Sequence, residues 1–302
     1  MNQRPAMQID RKNDIRRQID RGILVCPQTR NALSFTSPGT LASADGERSY
    51  NVHGDVPLLI TDRGLVDEYA RSSGDMNREY STDYLQSQQS WFAKLRQKDY
   101  RTQESIDAFD GLFSNVAEDA VCLSVGGGPG RAHPRLTNLN IAPFPNVDVV
   151  GDAHLLPYAD ASVDVLYCEA VLEHLHTPSK AVAEMFRVLK PGGRVFACTP
   201  FLQPYHGYPH HYQNFTLTGH VHLFATAGFQ VTQSGTSTGP VYALRSLTGV
   251  FLKTHLPFPL NRILHLGWAV FSLLVAPLDL IVAKRKDAHI LASTTYLTAT
   301  KR

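Results

Sequence analysis

The sequence predicts an α/β fold: a parallel sheet with helices on both faces, a small β-rich unit in front of it and an apolar helical insertion before its last strand. Three observations carry this. From residue 119 onward short apolar runs alternate with amphipathic ones, the pattern of strands joined by helical crossovers. The first of these runs ends in VGGGPGR (125–131), with four glycines in five positions. The chain has 302 residues, 43% of them hydrophobic and 19% charged, enough for one sizeable core plus an accessory unit and unlike a disordered chain.

Charge and cysteine content narrow the function classes. A formal net charge of +2 gives no electrostatic footprint for nucleic acid, so no nucleic-acid partner is expected. Cys26, Cys122, Cys168 and Cys198 lie far apart, and three of them sit in apolar runs. That argues against a disulfide framework and for a reducing, cytoplasmic setting. The start MNQRPAMQIDRKNDIRRQ has no apolar stretch of the secretory kind.

Residues 1–20 are polar and basic, the composition of a flexible arm. Residues 21–62 hold short apolar runs punctuated by Pro, Gly and Asn, which read as small strands and turns. The pieces LVCP with NALSF, and SYNVHGDVPLLI, resemble the small zinc-ribbon-like domain of short bacterial proteins and of activators of tRNA methyltransferases. The metal form of that domain requires four ligands, and only Cys26 stands at a ligand position, so the resemblance implies a metal-free relic. Residues 63–118 are polar with scattered aromatics, and Tyr84, Trp91, Phe92 and Leu95 share a helical face, which predicts a helical lead-in or cap. Residues 119–302 form the core, with DAVCLSV, RLTNLNI, VDVVGD, SVDVLYCEA, RVFACTP, QVTQSG and ILASTTYLTATK as strands. HTPSKAVAEMFRVLK and LTGHVHLFATAGF are helices, the first broken by Pro-Gly-Gly and the second ended by Gly228.

In an open α/β sheet a ligand binds beyond the carboxyl ends of the strands, where a glycine turn lets it touch backbone. Gly126, Gly128 and Gly130 are spaced G-x-G-x-G, so the third glycine falls one position early for the dinucleotide pattern. No phosphate-loop Gly-Lys-Ser/Thr occurs here either. The turn is followed by GDAHLLPYADASVDVLYCEAVLEHLHTP and EMFRVLKPGGRVFACTP. With these in order, residues 119–236 resemble class I S-adenosylmethionine-dependent methyltransferases, particularly the branch acting on small metabolites and quinone precursors.

The resemblance implies a Rossmann-like, seven-stranded, mostly parallel sheet with one antiparallel strand, and S-adenosyl-L-methionine as cofactor. It implies roles by position. Gly126, Gly127, Gly128 and Gly130 pass under the amino-acid portion and ribose. Asp152 accepts from the adenine amine, the Ala153 N–H points at the ring, and His154, Leu155 and Leu156 lie beside it. Glu169 stands near the methionine part. Each residue has a plainer alternative: Asp152 caps its own turn, and Glu169 is a charge at a helix start. Two positions depart from the family. Ser124 replaces an acid two residues before the first glycine, and Asn140 replaces the acid that grips the ribose hydroxyls. Asn140 retains hydrogen-bonding capacity without charge assistance. Only ten positions separate Gly130 from Asn140, which leaves almost no room for the usual first helix.

PYHGYPHHYQNFT (204–216) follows the fifth strand on the ligand side. His206, His210 and His211 there read as a metal site, as a general base for the acceptor, or as a lid with Tyr205, Tyr208 and Tyr212. Gly207 and Pro209 spoil a regular ligand spacing, so no metal is expected, and a substrate-facing lid with one active histidine is favoured. His174 is a further candidate base. The insertion at 240–287 contains an uncharged run, Leu266–Leu278, of thirteen residues, short of the roughly 20 that span a bilayer. Arg262 and Lys284-Arg285-Lys286 flank it. Peripheral contact of 263–283 with the inner face of a membrane, a buried cap and a homo-oligomer interface are the three readings.

The combined expectation is a methyltransferase acting on a small-molecule acceptor, lipid-linked or glycan-related. The rival is a non-catalytic scaffold of the same fold.

Overall fold

The computed structural model describes residues 11–60, 64, 101–128, 130–206 and 210–302. Helix α1, Arg11–Asp20, opens the described chain. Ile15 and Ile19, one turn apart, are both buried while most of their neighbours face solvent. Residues 11–20 are therefore no flexible arm, because these two side chains anchor them to the core.

A meander follows: β1 (Leu33–Ser37), β2 (Thr40–Ser43), β3 (Ser49–His53) and β4 (Val56–Leu59), all antiparallel neighbours. The Cys26 thiol lies 3.0 Å from the Tyr50 hydroxyl, and both residues are buried. Of the predicted lead-in at 63–118, only helix α2 (Gln103–Leu112) and its flanks are described. Tyr84, Trp91, Phe92 and Leu95 lie outside the described residues. Thr102 caps α2 by accepting from the Ser105 N–H at 3.3 Å.

The core strands are β5 (Cys122–Val125), β6 (Thr137–Asn140), β7 (Val149–Gly151), β8 (Val163–Glu169), β9 (Leu189–Pro200), β10 (Gln230–Thr238) and β11 (Thr294–Thr300). They lie in the order β7-β6-β5-β8-β9-β11-β10, seven strands with β11 antiparallel to both neighbours. β5, β6 and β7 are buried at every position, as parallel strands covered on both faces must be. The sheet does not stop at seven. β4 pairs in parallel with β7 through Leu58–Val150 and Leu59–Gly151, so the meander continues the sheet to eleven strands. The expected separate N-terminal unit is instead a hydrogen-bonded extension of the core edge.

Alternate residues of the central strands feed opposite faces. Leu123, Leu166 and Ala197 pack with helix α3 (Pro178–Val188) and helix α4 (Leu217–Thr226). Cys122, Val165 and Phe196 pack with α2. Helix α3 ends at Val188, three residues before Pro191-Gly192-Gly193, which lies inside β9 as a bulge. Val163 faces Leu189, while Val165 already faces Arg194. Gly192 takes φ +79° to make this possible.

Between β10 and β11 stand helix α5 (Pro240–Thr254), helix α6 (Leu260–Val275), a 3-10 turn (Ala276–Leu278), helix α7 (Asp279–Val282) and a second 3-10 turn (Ala288–Ile290). The Trp268 indole N–H donates to the Arg245 carbonyl at 3.1 Å and ties α6 to α5. The thirteen-residue run expected to fall short of a bilayer is part of a longer helical stretch that includes Pro277 and Asp279. Helical structure continues through them over Leu260–Val282, 23 residues, long and apolar enough to cross a membrane by length and composition.

Candidate active site

The parallel strands β5, β6, β7 and β8 end at one edge, at Val125, Asn140, Gly151 and Glu169. A cleft of about 590 Å³ lies beyond that edge. Its floor is the glycine turn, with Glu169 and Glu173 on one side and Tyr242 of α5 on another.

The turn needs its glycines for separate reasons. Gly126 has φ +76°, and a Cβ there would stand 2.2 Å from Val171 Cγ2. A Cβ on Gly127 would stand 2.8 Å from the Asn138 side chain. Gly128 has φ +44° with nothing within 4 Å of its Cβ direction, and it lines the cleft. The Gly126 N–H donates to the Leu139 carbonyl at 2.8 Å, which folds the turn over β6. No helix lies between β5 and β6 among the described residues, in keeping with the short spacing.

Charged residues that sequence reasoning passed over hold this turn. Arg131 donates to both oxygens of Asp148, Nη1 to Oδ2 at 2.7 Å and Nη2 to Oδ1 at 2.9 Å, and also to the Leu136 and Asn146 carbonyls. Asp148 Oδ2 also accepts the Asn138 N–H at 2.7 Å, and the Asn138 amide donates to the Gly130 carbonyl at 3.0 Å. The exit of the glycine turn is thus clamped to the start of β7. An arginine immediately after a glycine turn was the signal available in the sequence.

The predicted cofactor residues divide into two groups. Gly126, Gly127, Gly128, Gly130 and Glu169 line the cleft, as does Ser124. Asn140, Asp152, Ala153 and His154 stand at the ends of β6 and β7, outside its lining. Asn140 Oδ1 accepts the Ala142 N–H at 3.3 Å. Asp152 Oδ1 accepts from both the His154 N–H and its ring Nδ1, each at 2.8 Å. Burial pushes the Asp152 carboxyl up, but these His154 bonds outweigh it and hold the group below the usual carboxylate range. The His154 ring stacks on His176 at 4.4 Å. Glu169 is paired with Arg101 at 2.6 Å and accepts from the Tyr167 hydroxyl. Burial first and the Glu169 charge second push the Tyr167 phenol up, so it remains a donor.

Of the four candidate histidines, His174 and His206 stand 3.7 and 3.8 Å from Glu173, His211 packs on both of their rings, and none of the four is among the residues lining the cleft. His211 has no spare ring nitrogen. Its Nδ1 accepts the His206 N–H at 3.1 Å, and its Nε2–H donates to Asn214 at 2.7 Å. It therefore positions the segment and is not available as a base. His210 contributes its carbonyl to His174 Nδ1 at 2.7 Å, and its ring lies 5.2 Å from Tyr212. Tyr205 and Tyr212 are exposed, and Tyr208 lies outside the described residues. His222 is exposed, and His220 is buried beneath β11 with Nδ1 3.3 Å from Thr295 Oγ1, so neither faces the cleft.

A glycine turn at the carboxyl ends of a parallel sheet, opening on one cleft, defines a Rossmann-like cofactor-binding protein. Residues 123–197 match the family described as a methyltransferase domain. That stretch runs from β5 to β9 and is what the chain shares with methyltransferases. It is 46% identical over 174 residues to an uncharacterized 37.1 kDa transposon protein of Streptomyces fradiae, covering 48% of each chain. An uncharacterized methyltransferase of Mycobacterium marinum is 36% identical over 106 residues, covering 28% of this chain and 42% of the relative. Among solved structures, the phosphoethanolamine N-methyltransferase 2 of Haemonchus contortus in complex with S-adenosyl-L-methionine gives a TM-score of 0.42 at 13% identity, over 74% of this chain and 59% of that one. The chain spans about half the length of these curated relatives, or less.

Proposed function

We propose that the protein transfers the methyl group of S-adenosyl-L-methionine to a small-molecule acceptor. The observation that carries this reading is the bare turn Gly126–Gly128, which leaves backbone facing the cleft at the switch edge of a methyltransferase-type sheet. The methyl donor is an activated sulfonium, so catalysis rests largely on holding acceptor and methyl in line. In this reading the acceptor enters on the side of Glu173, Gln203 and Tyr242. Asp152 and Ala153 serve the adenine, and Asn140 serves the ribose through its amide.

The acceptor is lipid-linked in this reading, and α5 and α6 rest on the inner face of a membrane. The hairpin exposes an unusual amount of apolar surface: Ile263, Leu266, Leu274 and Ile281 are each at least 64% exposed. Arg262 and Lys284–Lys286 border this surface, as anionic lipid headgroups require. Tyr242 on the first turn of α5 lines the cleft, so the apolar surface and the acceptor entrance share one helix.

Two assays test this together. Radiolabelled methyl transfer is measured on acceptors extracted from membranes, and sedimentation is measured with anionic vesicles. Ile263→Glu with Leu266→Glu abolishes sedimentation while leaving cofactor binding intact. A His206→Ala variant lowers turnover without changing cofactor affinity, because it acts on the acceptor side. Sedimentation that survives the double substitution sinks the membrane reading.

A second reading, a non-catalytic scaffold, is favoured by one observation. Glu169, Asn140 and Asp152 already have partners within the chain. A scaffold shows no saturable cofactor binding.

A further inference from the structure

Glu173 sits on the short 3-10 turn Leu172–His174 that follows β8, and it is fully buried. Its Oε2 accepts from the Thr199 hydroxyl at 3.3 Å. Its Oε1 is buried with no hydrogen-bond partner among the described residues. Leaving a buried carboxylate oxygen without a donor is costly, so such an atom calls for a positive partner.

Two imidazoles face that oxygen. His174 Nε2 lies 3.7 Å away and His206 Nε2 3.8 Å away. Both are too far for a normal hydrogen bond. The remote nitrogen of each ring is already committed: His174 Nδ1 to the His210 carbonyl at 2.7 Å, His206 Nδ1 to the Pro204 carbonyl at 2.9 Å. A carbonyl only accepts, so Nδ1 carries the proton in both rings. In the neutral tautomer Nε2 then presents a lone pair. Three lone-pair atoms from Glu173, His174 and His206 thus converge within 4.8 Å of one another. Like ends repel unless a cation lies among them. Separations near 3.7 Å between donors suit ligands that each stand about 2.0–2.2 Å from one ion. A backbone carbonyl on the far nitrogen is the outer partner that metal-bound imidazoles carry. His211 strengthens the arrangement by holding the His206 backbone N–H at 3.1 Å.

We propose that Glu173, His174 and His206 form a binding site for one divalent transition-metal ion of the zinc class. Two imidazoles and a carboxylate are a borderline donor set, which favours zinc, iron(II), cobalt or manganese over calcium and magnesium. Three protein ligands leave a position for water or for an acceptor oxygen. Glu173 also lines the cleft, so that position stands at its acceptor end. The ion pins His206 to the end of β8 and acidifies an oxygen bound to it. The metal site itself does not rest on methyl transfer; only its place at the acceptor end does.

The test uses full-length protein stripped of metal with a chelator and titrated with Co²⁺, followed by visible absorption, with zinc uptake measured by elemental analysis. The expected result is one equivalent of saturable metal with cobalt d–d bands. His174→Ala and His206→Ala each weaken it at least about tenfold, and the double variant abolishes it. Thermal unfolding and titration with S-adenosylhomocysteine verify that the variants are folded with an unchanged cofactor site. Metal-free protein that takes up no cobalt or zinc, or a double variant that binds them as the wild type does, overturns the proposal. The first of these outcomes would mean that a proton bridges Glu173 and His206 instead.

Discussion

Asp279 grips the first turn of the helix that carries Tyr242: its Oδ1 accepts the Val241 N–H at 2.9 Å and its Oδ2 the Tyr242 N–H at 2.7 Å. The carboxylate comes from the far end of the apolar hairpin and sits on the positive end of α5. Gly239 is required beside it, since a Cβ there would stand 2.3 Å from Asp279 Oδ1. One buried side chain thus closes the hairpin and fixes a wall of the cleft.

Replacing Asp279 with Ala strands the two N–H groups and removes the cap. We expect a loss of about 1–3 kcal/mol of stability, measured by chemical denaturation. Turnover falls because Tyr242 loses its anchor, while affinity for S-adenosylhomocysteine is unchanged. Unaltered stability in this variant would mean that water replaces the cap at no cost.

The Arg131–Asp148 clamp makes a different prediction. Both side chains are mostly buried, and the guanidinium engages the carboxylate with two nitrogens. Arg131→Lys keeps the charge and loses the fork. Cofactor affinity in this variant drops by about tenfold, since the exit of the glycine turn is no longer held to β7. Calorimetry reads this directly, and an unchanged affinity would free the turn from any dependence on the clamp.

His220 predicts a pH effect on stability. Burial pushes its imidazole down to about 3 from the ordinary 6.5. The unfolded chain therefore binds this proton more readily than the folded one. The stabilising contribution is complete above pH 6.5 and is lost as pH falls from there through about 3. The slope is at most about 1.4 kcal/mol per pH unit. In His220→Gln that slope is absent, so the stability gap between variant and wild type narrows on acidification. Denaturant titrations at several pH values check it, and parallel curves would contradict the assignment.

The sheet was legible because parallel strands buried on both faces read as uninterrupted apolar runs, and glycine and proline punctuate them. The extension through β4 was not legible, because Val56–Leu59 looks the same whether it ends a small domain or pairs with Val149–Gly151. Helix α1 was missed because only Ile15 and Ile19 betray its buried face in a basic stretch. At the site, the glycine turn and Glu169 could be found by position. The clamp of Arg131 on Asp148 joins residues 17 apart through long side chains and carries no periodic signal. Glu173 was overshadowed by its neighbour His174 in LEHL, although the carboxylate is the atom on which the histidines converge.

The most direct measurement is calorimetric titration of S-adenosylhomocysteine into the wild type and Gly128→Ala. A Cβ at Gly128 meets no protein atom within 4 Å, so the substitution costs only the strain of φ +44°, about 1–2 kcal/mol, and leaves the fold intact. Gly128 lines the cleft, and in the proposed reading its backbone lies against the cofactor. The account predicts one saturable site in the wild type and a loss of affinity of at least about tenfold in the folded variant. Equal affinity in the two proteins, or no binding in the wild type, would contradict it.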